Sequence, residues 1–260
     1  MAKIVSLEKL KSMLKVDFKR MFTMPLVYIM AAVSFAMPVL ILVMTSMMGG
    51  GAEEGDKAME GFTNVWQAIG SVSGGDAEAG MSMDLTGMCN INMLFFLVSV
   101  FVCVFVAEDF RSGYAKNLFT VRSQKTDYVI SKSLVTFAGA AIMFIAYFIG
   151  AIIGGAIAGL PFTTEGFGAG GIFACMVSKI FMTLIFVSIA LLLGTVAKQK
   201  LWLSILGSFA AGMLLFTMIP MVAPLNAGFV NVIMCVVGGI LFAVGLGVVS
   251  NVILKKTSLV

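Results

Sequence analysis

Six apolar runs, each long enough to cross a lipid bilayer, recur along this chain of 260 residues. A membrane-spanning helix needs about 20 consecutive apolar residues, because each residue advances about 1.5 Å through roughly 30 Å of hydrocarbon. The runs lie at 25–48, 89–107, 133–160, 172–197, 201–219 and 228–254. Hydrophobic residues make up 60% of the chain and charged residues 12%, whereas soluble domains carry about 45–50% and about 25%. Folding in water would leave much of that apolar surface wet. The expected fold is all-α, a polytopic membrane protein of six transmembrane helices preceded by an amphipathic interfacial helix, with both termini cytoplasmic.

Orientation follows from where the cations fall. Lys3, Lys9, Lys11, Lys15, Lys19 and Arg20 precede the first run. Arg111, Lys116, Arg122, Lys125 and Lys132 follow the second. Lys198 and Lys200 separate the fourth and fifth, and Lys255 and Lys256 follow the sixth. With six spans these fifteen of the 17 basic residues share one side, and the positive-inside rule makes that side cytoplasmic. Only Lys57 falls opposite, and Lys179 falls inside the fourth run. Glu53, Glu54, Asp56, Glu60, Asp76, Glu78, Asp84 and Glu165 all fall opposite, in agreement with that orientation.

The organisation expected is an N-terminal helix over 1–24 and a transmembrane domain over 25–260, with a large outer loop at 49–88 and an inner loop at 108–132. The polar and basic start, Met1 to Thr23, is not the pattern of a cleaved signal peptide. Leu7, Leu10, Leu14, Phe18 and Met21 recur at helical spacing opposite Glu8, Ser12, Lys15 and Lys19. The reading is a helix along the inner leaflet, its lysines facing anionic lipid. Asp17 breaks the pattern by sitting near the apolar side. In the outer loop, residues 62–69 suit either a short interfacial helix with Trp66 at headgroup level or an unstructured loop.

Within the runs, Pro38 removes a backbone hydrogen bond mid-helix and is a candidate hinge. Gly150-xxx-Gly154 and Gly155-xxx-Gly159 predict close helix packing, within the chain or across a dimer. The 21 methionines suit a lipid-facing surface or an apolar substrate path. Lys179 is expected to snorkel outward.

Chemistry is limited by what the sequence lacks. There is no His, so imidazole bases and Ser-His-Asp triads are excluded. Cys89, Cys103, Cys175 and Cys235 form no C-x-x-C pair and read as small hydrophobes, with no metal site expected. No phosphate-binding G-x-x-x-x-G-K-[ST] motif is present. Gly70-Ser-Val-Ser-Gly74 has the wrong spacing for a nucleophile elbow. No carboxylate lies within a run, which argues against ion-coupled transport. The chain is not expected to be an enzyme.

The inner loop runs Glu108-Asp-Phe-Arg-Ser-Gly113-Tyr-Ala-Lys116-Asn117, then on through Arg122 and Tyr128 to Lys132. It resembles the cytosolic loop of membrane permease subunits of ABC transporters of the type-two exporter family. The matching positions are Glu108, Gly113, Lys116, Asn117, Arg122, Tyr128 and Lys132. One departure is the order Arg122-Ser123, where the family often has Ser-Arg. The resemblance extends to the basic start, the large first outer loop and the short basic tail. It implies that Glu108, Asp109, Arg111, Gly113, Lys116, Asn117, Arg122, Tyr128 and Lys132 couple the spans to a separate cytoplasmic ATPase subunit. That partner would hold ATP and Mg, and this chain would hold no cofactor. A second permease chain, identical or related, would complete the path in a bacterial plasma membrane. The substrate expected is hydrophobic or amphipathic, a peptide, a lipid or a drug, with peptides suiting the loop resemblance and the Met-rich spans, and no nucleic-acid partner is implied. The alternatives are an ATP-independent transporter or small channel, and a non-transporting assembly or immunity factor. The first predicts transport without an ATPase, and the second predicts unchanged export when the chain is removed.

Overall fold

The computed structural model describes residues 2–48, 62–71, 89–121, 125–164 and 166–256. It is an all-α polytopic membrane protein. Its helices are α1 (Ala2–Thr23), α2 (Pro25–Met48), α3 (Leu94–Arg111), α4 (Tyr114–Val121), α5 (Lys125–Ala158), α6 (Ala169–Ala197), α7 (Leu201–Phe216), α8 (Ile219–Val222) and α9 (Phe229–Lys256). Short 3₁₀ turns occupy Val65–Ala68 and Ile91–Met93.

Among the described residues, five helices are long and apolar enough to cross a membrane, those of α2, α3, α5, α6 and α9. The run expected at 201–219 is instead interrupted. α7 has 16 residues, about 24 Å at 1.5 Å per residue, and the chain then turns through Thr217 and Met218 into α8. The remaining boundaries also shift. α5 begins at Lys125 rather than 133, because Tyr128, Ser131 and Lys132 find partners that bury them. The inner loop at 108–132 is therefore largely helical, comprising the last turn of α3, all of α4 and the first two turns of α5.

α3 is the centre of the bundle. Phe95, Val98, Phe101, Val102 and Phe105 along it are wholly buried or nearly so. Its outer-loop end packs ring on ring, with Phe95 lying 4.5 Å from Phe186 of α6 and 5.2 Å from Phe144 of α5. α5, α6 and α7 surround α3. α2 lies against α5, and α9 lies against α6. These two flanking helices expose Tyr28, Ile29, Leu40 and Met44, and Leu241, Val244 and Val248. Such a surface is stable only against hydrocarbon or another apolar chain.

α2 and α5 approach closely because α5 carries glycine at the contact. A Cβ on Gly150 would lie 2.2 Å from Phe35 O, and one on Gly154 would lie 2.7 Å from Val39 Cα. The small-residue pair thus serves packing within the chain. Pro38 lies inside α2 and its ring faces Gly150. The second pair divides its roles: Gly155 receives Val65, while Gly159 ends α5. Gly159 adopts φ +69°, Leu160 N donates to Gly155 O (3.0 Å) and Gly159 N to Ala156 O (3.4 Å). That is a Schellman stop, which a left-handed residue must occupy. Gly159→Ala has open space for its methyl but should cost about 1 kcal/mol from backbone strain alone. Denaturant titration in mixed micelles measures it, and an unchanged midpoint would refute the assignment.

The N-terminal helix docks on the bundle by a stripe that shares only Met21 with the one expected. Met13, Asp17 and Met21 are its buried positions, and α5 is the element they face. Leu10, Leu14 and Phe18 flank that stripe half-buried, and the side chain of Leu7 lies outside the described residues. Lys11, Lys15 and Lys19 are exposed. Residues 62–71 are not a free loop. They form a 3₁₀ turn tucked into the bundle, with Val65, Ala68 and Ile69 buried and Trp66 set against Phe148 and Phe162. The rest of the outer loop, 49–61 and 72–88, lies outside the described residues.

Candidate functional site

Two acids and two bases meet at the end of the bundle where α1, α3, α4 and α5 converge. Asp17 and Arg20 stand three residues apart on α1, on one face of that helix. Asp109 lies in the last turn of α3, and Tyr128, Ser131 and Lys132 line one side of the first two turns of α5. Lys132 is the bridge. Its ammonium lies 2.9 Å from Asp17 Oδ1 and 2.8 Å from Asp109 Oδ2. Arg20 Nη1 donates to Asp109 Oδ1 at 2.6 Å. Tyr128 Oη donates to Asp109 Oδ2 at 2.9 Å, and Ser131 Oγ donates to Asp17 Oδ2 at 2.5 Å.

Every carboxylate oxygen in the cluster therefore accepts at least one hydrogen bond, and the formal charge is balanced. This completeness allows burial. Isolated ions in a low-dielectric interior cost several kcal/mol each, and only full pairing offsets that. Asp17, Asp109 and Lys132 have wholly buried side chains, and Arg20 keeps about a quarter of its side chain exposed. Aromatic rings close the remaining sides. The Arg20 guanidinium sits 3.9 Å from the Tyr114 ring centroid, and the Lys132 ammonium sits 4.1 Å from that of Phe105, both within cation–π range. Burial pulls against the Arg20 charge, but the attraction of Asp109 prevails and holds its pKa above the ordinary arginine value. Burial, reinforced by the negative field of Asp17, pushes the Tyr114 hydroxyl up, so it stays protonated.

The residues of the inner loop thus divide into two sets. Asp109, Tyr128 and Lys132 are buried in the network and present no side chain to a separate subunit. Glu108, Arg111, Lys116 and Asn117 are exposed on the surface immediately outside it. Gly113 makes the turn between α3 and α4 with φ +73°, and Asn117 N donates to its carbonyl at 3.0 Å. Arg122 lies outside the described residues. Sequence reading did not include Asp17, Arg20, Tyr114 or Ser131 in the site. The available signal was Asp17 itself, an acid on the apolar side of an otherwise amphipathic helix.

The cluster holds helices together through ion pairs and hydrogen bonds. Among the described residues no three His, Cys, Asp or Glu side chains are placed to hold a metal. What the network does is tie α1, the end of α3 and the start of α5 together, with α4 packed over it through Tyr114. The exposed residues of α4 cannot shift far without disturbing Tyr114 and Arg20.

At the same level, Lys125 donates to Leu254 O and Asn251 Nδ2 donates to Thr126 Oγ1 at 3.0 Å. These bonds tie the end of α9 to the start of α5. No family model, curated protein or solved structure matches this chain.

Proposed function

We propose that this chain is the membrane-spanning subunit of an ATP-driven exporter, powered by a separate ATPase subunit that holds ATP and Mg. The basic end faces the cytoplasm of the plasma membrane, and the substrate, a hydrophobic or amphipathic molecule such as a peptide, moves outward. The observation that carries this reading is the pairing of an exposed polar surface, Glu108, Arg111, Lys116 and Asn117, with a buried charge network directly beneath it. A soluble partner pressing on α4 would move a joint already tied to α1, α3 and α5. An interfacial loop with no partner has no need of such wiring.

Cavity size supports a second permease chain. The crevice between α6, α7, α8 and α9, lined by Met182, Phe186, Leu215, Ile219 and Cys235, holds about 110 Å³. Drug-sized ligands occupy pockets of about 300–1,000 Å³, so a peptide path would form against another chain rather than inside this crevice. The exposed apolar faces of α2 and α9 offer surface for it.

The test is affinity purification from native membranes in mild detergent, with mass spectrometry and an ATP-hydrolysis assay. A soluble ATPase should co-purify. Arg111→Glu with Lys116→Glu should weaken its retention about ten-fold or more, as reversal of exposed interface charges does, while leaving the unfolding midpoint unchanged. A clean preparation with no ATPase would replace this reading with an ATP-independent transporter or a non-transporting membrane factor.

A further inference from the structure

Lys179 is buried where neither the coupling network nor the exporter reading uses it. It sits ten residues into α6, about 15 Å along the helix axis. It does not snorkel. Its side chain is wholly inaccessible, and its ammonium donates to Ile69 O and to Asn92 Oδ1, each at 2.7 Å. Both acceptors are neutral and lie in different segments outside the α-helices. Asn92 is itself held in place, because its backbone N–H donates to Asn90 Oδ1 at 2.9 Å.

A third such segment meets the same face of α6. One turn before Lys179, Cys175 Sγ donates to Ala223 O at 3.3 Å. One turn earlier still, a Cβ on Gly171 would lie 2.6 Å from Leu225 O. The two outer segments also join each other, Leu225 N donating to Ser71 O at 2.8 Å. Gly171, Cys175 and Lys179 recur every four residues, so one stripe of α6 receives residues 62–71, the turn before α3 and residues 219–227. Irregular backbone at such depth is tolerated only when protein covers it, and these three segments cover one another.

A static contact inside a span would favour an apolar side chain, since a buried ammonium is costly. Hydrogen bonds to two separable segments offer something that packing does not. They hold both segments at defined points through one side chain, so a change at that side chain reaches both at once.

We propose that Lys179 is the latch of a gate built from residues 62–71 and 219–227 at the end of the bundle opposite the charge network, and that its release admits water to the interior there. The gate is a property of this chain alone and does not depend on an ATPase partner.

The protein carries its own probes. Cys175 lies beneath the gate. Cys103 lies in α3, wholly buried and 3.4 Å from Ser208 Oγ, away from the gate segments. Full-length protein with Cys89→Ser and Cys235→Ala, reconstituted in lipid nanodiscs, is treated with a water-soluble maleimide that reaches both faces. Without further change, both remaining thiols should label slowly. Lys179→Met should raise the labelling rate of Cys175 about ten-fold or more, since two charge-assisted hydrogen bonds are lost, and leave Cys103 protected. Asn92→Leu, which removes one acceptor only, should move Cys175 in the same direction by less. Unchanged Cys175 labelling in both variants would overturn the latch. So would an equal rise at Cys103, because Lys179 would then support the whole bundle rather than one gate.

Discussion

Lys132→Met should destabilise the folded chain by about 3–5 kcal/mol, the usual cost of removing one partner from a buried ion pair. The size follows from what is left behind. Asp17 would keep Ser131 as a donor but lose the ammonium that lies 2.9 Å from it, while remaining wholly buried. Asp109 would keep Arg20 and Tyr128. The damage should therefore concentrate on the α1–α5 contact. Combining Lys132→Met with Asp17→Asn removes both the base and the acid it neutralised, and should recover part of the loss. A double-mutant cycle of denaturant midpoints in mixed micelles measures the coupling, expected at about 1–3 kcal/mol for side chains in direct contact. A Lys132→Met midpoint equal to that of the parent would mean that the network is not closed as described. If stability is recovered in the double variant while hydrolysis by the proposed ATPase partner is not, the network acts in transmission as well as in folding.

The network also shows where sequence reading succeeds and where it stops. The all-α membrane architecture was legible because lipid leaves few options: apolar runs of span length must be helices, and the charges that flank them can be read directly. Asp17 was visible as a misfit but not as a partner of Lys132, because the two lie 115 residues apart and nothing local records the pairing. Lys179 was misplaced for the same reason. Snorkelling is the default for a lysine near a helix end. Its burial depends on the Ile69 carbonyl, 110 residues distant, and on an asparagine in a turn whose structure has no periodicity to read. The apolar period of α1 located a helix correctly and included Met21, but it otherwise selected the flank of the buried stripe, since Leu10, Leu14 and Phe18 outrank Met13 in hydrophobicity while Met13 is the more deeply buried. Residues 201–219 were apolar throughout, and apolarity alone does not reveal that the helix stops at Phe216.

Gly150→Val should cost at least about 3 kcal/mol, the upper end of the range for overpacked cores. The same argument gives Gly154→Val a smaller but similar effect. Membrane helices gain little from leaving lipid for one another, so close van der Waals approach supplies much of the association energy. At Gly150 the obstruction is backbone: a Cβ would lie 2.2 Å from Phe35 O and 3.1 Å from its carbonyl carbon, with the Pro38 ring at 2.9 Å. None of these atoms can rotate away as a flexible side chain would, so α2 and α5 must separate along their shared length. Pro38 sharpens the constraint, because its ring is rigid and its missing N–H already leaves one carbonyl of α2 without a helical partner. Gly238 and Gly245 of α9 supply the contrast. A Cβ at either meets nothing within 4 Å, so Gly→Ala there should be neutral or stabilising by up to about 1 kcal/mol through helix propensity. Denaturation midpoints of the four variants in one detergent decide the matter. If Gly150→Val and Gly245→Ala shift the midpoint equally, the close α2–α5 approach is not a determinant of the fold. If only the α5 variants fall, the contact between α2 and α5 carries a large share of the stability of the bundle.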